Sequence, residues 1–351
     1  MNAEIARAVT DWFDDNKRDL PWRHTRDPYK IWVSEIMLQQ TQAATVIPYY
    51  ERFIADLPDV YALAAADTAH VYKLWEGLGY YRRAAHLQEA AKFIVSECGG
   101  YFPDSYEGLL KLQGVGNYTA AAIASIAFGQ AKGVVDGNIL RIISRLFMLE
   151  DNIALEKTKK AYGLIMDDMI RYAEPSAFNQ AMMDLGATVC MPRNPNCEAC
   201  PLKDMCKAFA EHAARVLPVN IKNRDQKKED YMTAVLFCGD RYLLCKNKGG
   251  MLENLYGFVQ FQETTPSAFE ARFEKMFGAK VRLMAYAGDV RHVFTHRIWQ
   301  MHVYLGRLSD DPAALKSGAL YTVEELEQLP VSTAHLKVLK AARKALEKES
   351  V

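Results

Sequence analysis

CMPRNPNCEACPLKDMC, residues 190–206, places four cysteines in one short loop with the spacing C-x6-C-x2-C-x5-C: Cys190, Cys197, Cys200 and Cys206. Soft thiolates this close together can wrap a tetrahedral metal ion or a cubane iron-sulfur cluster, and sulfur donors alone do not choose between zinc and iron. Arg193, Lys203 and Lys207 in the same loop could meet phosphates, or could form an ordinary solvated face. The chain has two unlike parts, and the loop lies near the end of the first.

Upstream, from residue 3 to about 212, the reading is helical throughout. Ala-rich amphipathic stretches at 84–95, 120–128 and 157–172 are broken by Gly and Pro, and no strand pattern is found. Downstream, NIKNRDQKKED at 220–230 is polar and charged without apolar periodicity, which reads as a linker. Beyond it, apolar runs at 232–238 and 242–245 flank Gly239 and Asp240 as a β-hairpin would. Further strands are expected at 255–261, 281–286 and 298–305, with helices near 267–277 and 335–349. The expected organisation is a helical domain at 1–212, a linker at 213–230 and an α+β domain at 231–351.

A chain of 351 residues is long enough for two such cores. Lys plus Arg (43) equals Asp plus Glu (43), so any affinity for a polyanion must come from local patches. No apolar run reaches membrane-spanning length, and the first 20 residues mix acids with apolar residues as a helix does, not as a signal peptide does. A cytoplasmic, reducing location is expected, with no membrane partner. Cys98, Cys238 and Cys245 are read as buried small hydrophobes.

Three further stretches carry chemistry. LQGVGNYT, residues 112–119, joins two helical segments. Gly114 and Gly116 allow a tight turn whose N–H groups, with the following helix N-terminus, suit a phosphate, although a G-x-G between helices is often a plain turn. Asp27 and Pro28 start a helix on which Ile31, Glu35 and Leu38 share a face. Burial there would raise the Glu35 pKa and keep a proton available near neutrality, as a general acid requires; a glutamate at the core boundary paired with an arginine is the alternative. VDGN, residues 135–138, precedes an apolar-periodic helix, so Asp136 is either an N-cap or a carboxylate held for chemistry.

Taken together, the cysteine spacing, L-x-G-V-G-x-Y-T-A, SEIMLQQTQ at 34–42 and V-D-G-N resemble the helix-hairpin-helix glycosylases of the endonuclease III and MutY superfamily, and the second of these families most closely. The resemblance covers nearly the whole chain. It implies an all-α glycosylase domain with one 4Fe-4S cluster on the four cysteines, then a Nudix-like α+β domain. The implied partner is double-stranded DNA carrying adenine opposite 8-oxoguanine or guanine, bound by a monomer. The implied reaction is hydrolysis of the adenine N-glycosidic bond, leaving an abasic site.

By the same resemblance Glu35 protonates adenine N7, Asp136 faces the oxocarbenium-like sugar, and Tyr118 and Asn138 support the two carboxylates. Bifunctional relatives carry a lysine where this chain has Tyr118, and a phenol cannot form an imine. Gln40 and Tyr80 are implied as wedges filling the gap left by the flipped base, with Thr41 beside them on the DNA. Trp22, Arg23, Leu38 and Gln180 are implied for the adenine pocket; some relatives place glutamate at the last position.

The second domain lacks the glutamate series of the Nudix box, which argues against pyrophosphate hydrolysis. Phe294, Thr295 and His296 stand where the family reads 8-oxoguanine with Phe-Ser-His, flanked by Arg291, His292 and Arg297. The rival readings are an endonuclease III-like bifunctional glycosylase and lyase on oxidised pyrimidines, a non-catalytic iron-sulfur DNA sensor, and a nucleotide pyrophosphatase.

Overall fold

The computed structural model describes residues 1–221, 227–249, 252–294, 296–309 and 314–349. It divides into two compact units, Met1–Ala66 with Arg83–Asn223 and Asp67–Arg82 with Arg224–Val351.

Among its described residues the first unit is helical, without a strand. At its centre lies Asn117–Phe128, whose alanine-rich sequence leaves little side-chain bulk. The Pro28–Leu38 and Pro175–Thr188 helices both pack against it. Residues 119–126 of the central helix are all buried. The first helix, Asn2–Asn16, buries Ile5, Ala6, Val9 and Phe13 and packs on Pro175–Thr188, as the 3.6-residue period dictates.

Buried polar groups then fix the connecting loops. Asn179, fully buried, donates to Ser125 Oγ (2.7 Å) and the Lys132 carbonyl (2.9 Å) and accepts from the Val134 amide (3.1 Å). It thereby pins the segment that delivers Asp136, at no cost in unsatisfied hydrogen bonds.

Among its described residues the second unit is built on a seven-stranded mixed sheet: β1 (Lys227–Cys238), β2 (Arg241–Lys246), β3 (Tyr256–Gly257), β4 (Val259–Phe261), β5 (Val281–Val293), β6 (Arg297–Leu308) and β7 (Ala319–Tyr321). The path runs β3-β2-β1-β6-β5, with β4 on β1 and β7 on β2; β1 and β6 are parallel and the other pairs antiparallel. Alternate residues of β1 face opposite sides, which gives two cores. Met232, Ala234 and Leu236 meet Phe269, Phe273 and Phe277 of the Pro266–Phe277 helix on one face. Val235, Met301 and Leu305 meet Val338, Leu339 and Ala342 of the Thr333–Glu349 helix on the other.

The expected α+β sheet with flanking helices is present, and its details differ for identifiable reasons. Residues 227–230, expected as linker, form the start of β1, paired in parallel with β6. Their charged side chains conceal a strand whose partner is remote in sequence. The strand expected at 255–261 is split at Phe258, whose amide turns aside to donate to His335 Nδ1 (3.1 Å). The fifth strand, expected at 281–286, runs on to Val293 across register shifts at Leu283/Ala285 and Tyr286/Gly288, where Gly288 and Asp289 interrupt the apolar run.

The short strand β7 and the Val323–Gln328 helix were not foreseen, although TVEE at 322–325 forms a capping box. Cys98, Cys238 and Cys245 are half-buried, not buried. The segment Asp67–Arg82, expected in the helical domain, falls in the second unit, where Tyr81 donates to the Val331 carbonyl (3.4 Å) and Lys73 to the Glu327 carbonyl. Among the described residues no helix is long and apolar enough to cross a membrane.

Candidate active site

The Pro28–Leu38 helix starts as its sequence dictates: the Asp27 side chain accepts from the Tyr29 amide (2.9 Å) and Pro28 fills the first turn. Its Ile31, Glu35 and Leu38 line one side of a cavity of about 60 Å3, closed by Trp22, Arg23, Tyr118 and Gln180 and, unforeseen, by Arg18 and Met183. Six of the residues implied by the resemblance therefore meet in one place.

Glu35 is 4 % exposed and its Oε2 has no hydrogen-bond partner. Burial pushes its carboxyl up to about 7; the nearby Asp136 charge adds to this, while the Tyr118 hydroxyl and the Arg23 charge pull the other way. Tyr118 is raised well above the usual phenol range, first by burial and then by the Glu35 and Asp136 charges, so it stays protonated. Its hydroxyl also lies 3.2 Å from Met183 Sδ.

Asp136 caps the Gly137–Phe147 helix: Oδ1 accepts from the Ile139 amide (2.8 Å) and Oδ2 from Asn138 Nδ2 (3.0 Å). Burial raises its pKa, opposed by these hydrogen bonds and by the Arg141 charge. The two sequence readings of this aspartate are not exclusive: one oxygen caps the helix while the carboxylate stands near enough to Glu35 and Tyr118 to shift both.

The arginines of the cavity are held by a residue that the sequence reading missed. Asp184 is fully buried and accepts from Arg23 Nη2 (2.7 Å) and Arg18 Nε (2.7 Å). Burial alone would raise its carboxyl, but the two guanidinium groups bring it below the ordinary value. Its helical position, four residues after Gln180, was the available signal. Gln180, on the same helix, donates its amide to Ser176 Oγ (2.9 Å).

Other expected residues lie outside this cavity. Gln40 is exposed on the turn that ends the Pro28–Leu38 helix, with φ of 60°. Below it the buried Arg83 donates to the carbonyls of Ile36 (2.9 Å), Met37 (2.9 Å) and Gln39 (2.7 Å) and reaches Thr41 Oγ1 at 3.4 Å. Gly114 needs its conformation: φ is 78°, and a Cβ there would sit 2.7 Å from His86 Cβ. Gly116 opens the Asn117–Phe128 helix with no side-chain cap and open space around it, as a phosphate site requires.

In the second unit Tyr80 is 49 % exposed, with φ of 51°. Phe294 is half-buried against Trp299 (4.8 Å between ring centroids) and His292 (4.5 Å), and His296 is exposed. Thr295 lies outside the described residues. Arg297 is paired with Glu229, and His292 is lowered to about 4 by burial and then by the Lys337 charge.

Cys190, Cys197, Cys200 and Cys206 line one cavity together with Arg145, Leu202 and Phe209, and none is in a disulfide. Arg145, 2 % exposed, donates to Cys190 Sγ (3.2 Å) and to the carbonyls of Met191 (2.8 Å), Pro192 (3.0 Å) and Leu217 (3.0 Å). Arg141 donates to the Cys190 carbonyl (2.7 Å) and to Asn138 Oδ1 (2.9 Å). Four thiols around a cavity, with cationic donors at the first of them, fit an anionic thiolate-bound group. Of the expected phosphate-binding cations, Arg193 and Lys207 are exposed, whereas Lys203 is paired with Glu198 (2.5 Å).

Comparison with known families agrees with this layout. Residues 33–165 match the HhH-GPD superfamily base excision DNA repair proteins, 190–206 the iron-sulfur binding domain of endonuclease III, and 232–341 the NUDIX domain. The chain is 30 % identical to the adenine DNA glycosylase of Buchnera aphidicola subsp. Acyrthosiphon pisum (strain APS), over 87 % of each chain. It belongs to the adenine DNA glycosylase family.

The adenine DNA glycosylase of Mus musculus is 46 % identical over 207 residues, which are 56 % of this chain and 40 % of the mouse protein. The chain spans between 38 and 57 % of the length of this and three other curated adenine DNA glycosylases that it matches. A thermostable thymine-DNA glycosylase of known structure superposes with a TM-score of 0.56 at 31 % identity, covering 60 % of this chain and 97 % of that one. Within the adenine DNA glycosylase family, then, this chain joins a helical HhH-GPD unit bearing an iron-sulfur loop to a NUDIX unit with a mixed sheet.

Proposed function

We propose that the chain is a monofunctional adenine DNA glycosylase that removes adenine paired with 8-oxoguanine or guanine in duplex DNA. The observation that carries this reading is the dry Glu35 carboxyl, with Oε2 unpaired in a cavity and a pKa pushed up to about 7. Such a group holds a proton at neutral pH and has a free edge from which to give it. Family membership supplies the base.

Glu35 gives its proton to adenine N7, and the electron pair of the C1′–N9 bond leaves with the base. The Asp136 carboxylate faces the positive sugar, Tyr118 and Asn138 keep the two carboxylates in place, and water adds to C1′, releasing the proton that recharges Glu35. Trp22, Arg23, Leu38 and Gln180 hold the adenine, while Gln40, Thr41 and Tyr80 fill and flank the gap in the duplex. Gly114 and Gly116 take a phosphate on the helix N-terminus, and the turn bearing Phe294 and His296 reads the opposite base. The four cysteines hold one 4Fe-4S cluster, which shapes the loop and supplies no step of the hydrolysis. The protein acts as a cytoplasmic monomer.

Single-turnover cleavage across duplexes with adenine opposite 8-oxoguanine, guanine and thymine tests this reading. Cleavage of the first two pairs by the parent chain and not by Glu35→Gln is expected; equal cleavage by both would overturn it. No covalent protein-DNA adduct should form with borohydride, since Tyr118 stands where a Schiff-base lysine would be needed.

A further inference from the structure

The carboxylate of Glu229 on β1 is 3 % exposed, yet it is not a member of either hydrophobic core and takes no part in the chemistry above. A buried carboxylate is retained only if its lone pairs are filled, and here four donors fill them. Arg297 Nη1 reaches Oε1 at 3.1 Å and Lys227 Nζ reaches the same oxygen at 3.2 Å. Trp299 Nε1 (3.0 Å) and the Tyr231 hydroxyl (3.1 Å) reach Oε2. Two of the four donors, Arg297 and Trp299, open β6, the strand that leaves the turn bearing Phe294 and His296.

That turn is tied down from three directions. The Phe294 amide donates to the Arg297 carbonyl (2.8 Å), and the Lys227 amide donates to the His296 carbonyl (3.1 Å). The Phe294 ring meets the Trp299 ring edge-on, with 4.8 Å between centroids, while Tyr231 packs on Trp299 at 5.2 Å. Parallel pairing sets Lys227 beside Arg297 and Glu229 beside Trp299, so β1 presents its carboxylate to the base of the turn. Glu229 therefore fixes the indole on which Phe294 rests and the guanidinium next to His296.

We propose that Glu229 is a positioning residue for recognition of the base opposite adenine: by clamping Trp299 and Arg297 it holds Phe294 and His296 in one approach to that base. This rests on the reading of the turn given under Proposed function. The clamp supplies rigidity, and a rigid reader discriminates by the hydrogen bonds that a mismatched edge leaves unmade.

The test uses the full chain and duplexes carrying a 2′-fluoro-substituted adenosine, which resists hydrolysis, opposite 8-oxoguanine or guanine. Glu229→Gln keeps the shape but removes the charge and turns an N–H toward the donors. The ratio of affinities for the two duplexes is expected to fall roughly tenfold, as one charge-assisted hydrogen bond in a buried network would give. The single-turnover rate on the adenine-guanine pair at saturating enzyme should stay within about twofold of the parent, since the clamp is not part of the hydrolytic machinery. Trp299→Phe, which keeps the ring and loses its N–H, should lower the ratio in the same direction and carries the test if Glu229→Gln fails to fold.

An unchanged ratio in a folded variant, or an equal loss of affinity for both duplexes, overturns the proposal. His296→Ala separates the two readings. If it lowers the ratio and Glu229→Gln does not, the positioning role alone fails. If His296→Ala leaves the ratio intact, the reading of the turn fails and this inference with it. Combining Glu229→Gln with His296→Ala should add nothing to the His296→Ala loss; full additivity counts against the proposal.

Discussion

Glu35 combines two properties that pull against each other in the folded chain. Its carboxyl is protonated more readily in the folded state than in the unfolded one, rising from 4.5 to about 7 through burial. Folding is therefore favoured by this group while it is protonated; the contribution is complete below about pH 4.5 and is lost as pH rises towards 7. Glu35→Gln should abolish activity, by about 10²- to 10⁴-fold in the single-turnover rate. It should also stabilise the protein above neutrality by on the order of 3 kcal/mol, with no gain at pH 4, as thermal melts at the two pH values would show. A variant less active and less stable at every pH would assign Glu35 to packing. The cavity arginines belong to this scale as well: Asp184 satisfies two of them at once, so neither guanidinium is an unpaired buried charge.

At the scale of elements, helix termini do the positioning. Asp136 is the N-cap of the Gly137–Phe147 helix as well as the second carboxylate. Asparagine caps about as well as aspartate and removes a charge that burial penalises, so Asp136→Asn should melt no lower than the parent while losing about 10²- to 10³-fold in rate. Asp136→Ala should lose the rate and, in addition, about 1 kcal/mol of stability. The two hairpin glycines separate in a similar way. Gly114→Ala forces a side chain into a left-handed backbone against His86 and should cost about 1–2 kcal/mol or more in a denaturant melt. Gly116→Ala, at φ of −97° with open space around its Cβ, should leave the melt unchanged and report on DNA affinity alone.

Across the whole molecule, sequence order and compact units do not coincide. Among the described residues the iron-sulfur loop takes its hydrogen bonds to arginine from Arg141 and Arg145 of the first unit, and Arg145 is in turn held by the Leu217 carbonyl. The segment Asp67–Arg82, by contrast, sends Lys73 and Tyr81 to carbonyls at Glu327 and Val331. A chain cut after Ile221 should keep the iron content of the parent per mole of protein. It should melt at a lower temperature, because that segment loses its partners. Loss of iron on truncation would show that the second unit supports the loop after all.

The cysteine spacing, the glycines at 114 and 116, the Asp27-Pro28 helix start and the apolar runs either side of Gly239 and Asp240 were legible in the sequence, because each is a local rule acting over a few residues. The dryness of Glu35 was not, since Ile31 and Leu38 show which face it shares but not what covers that face. Nor could the sequence assign Asp184 to two arginines about 160 residues away, Arg145 to the cysteine loop, Glu229 to the turn at Phe294, or Tyr80 to the second unit. Such assignments depend on which buried polar groups find partners when distant segments meet, and that pairing exists only once the chain has folded.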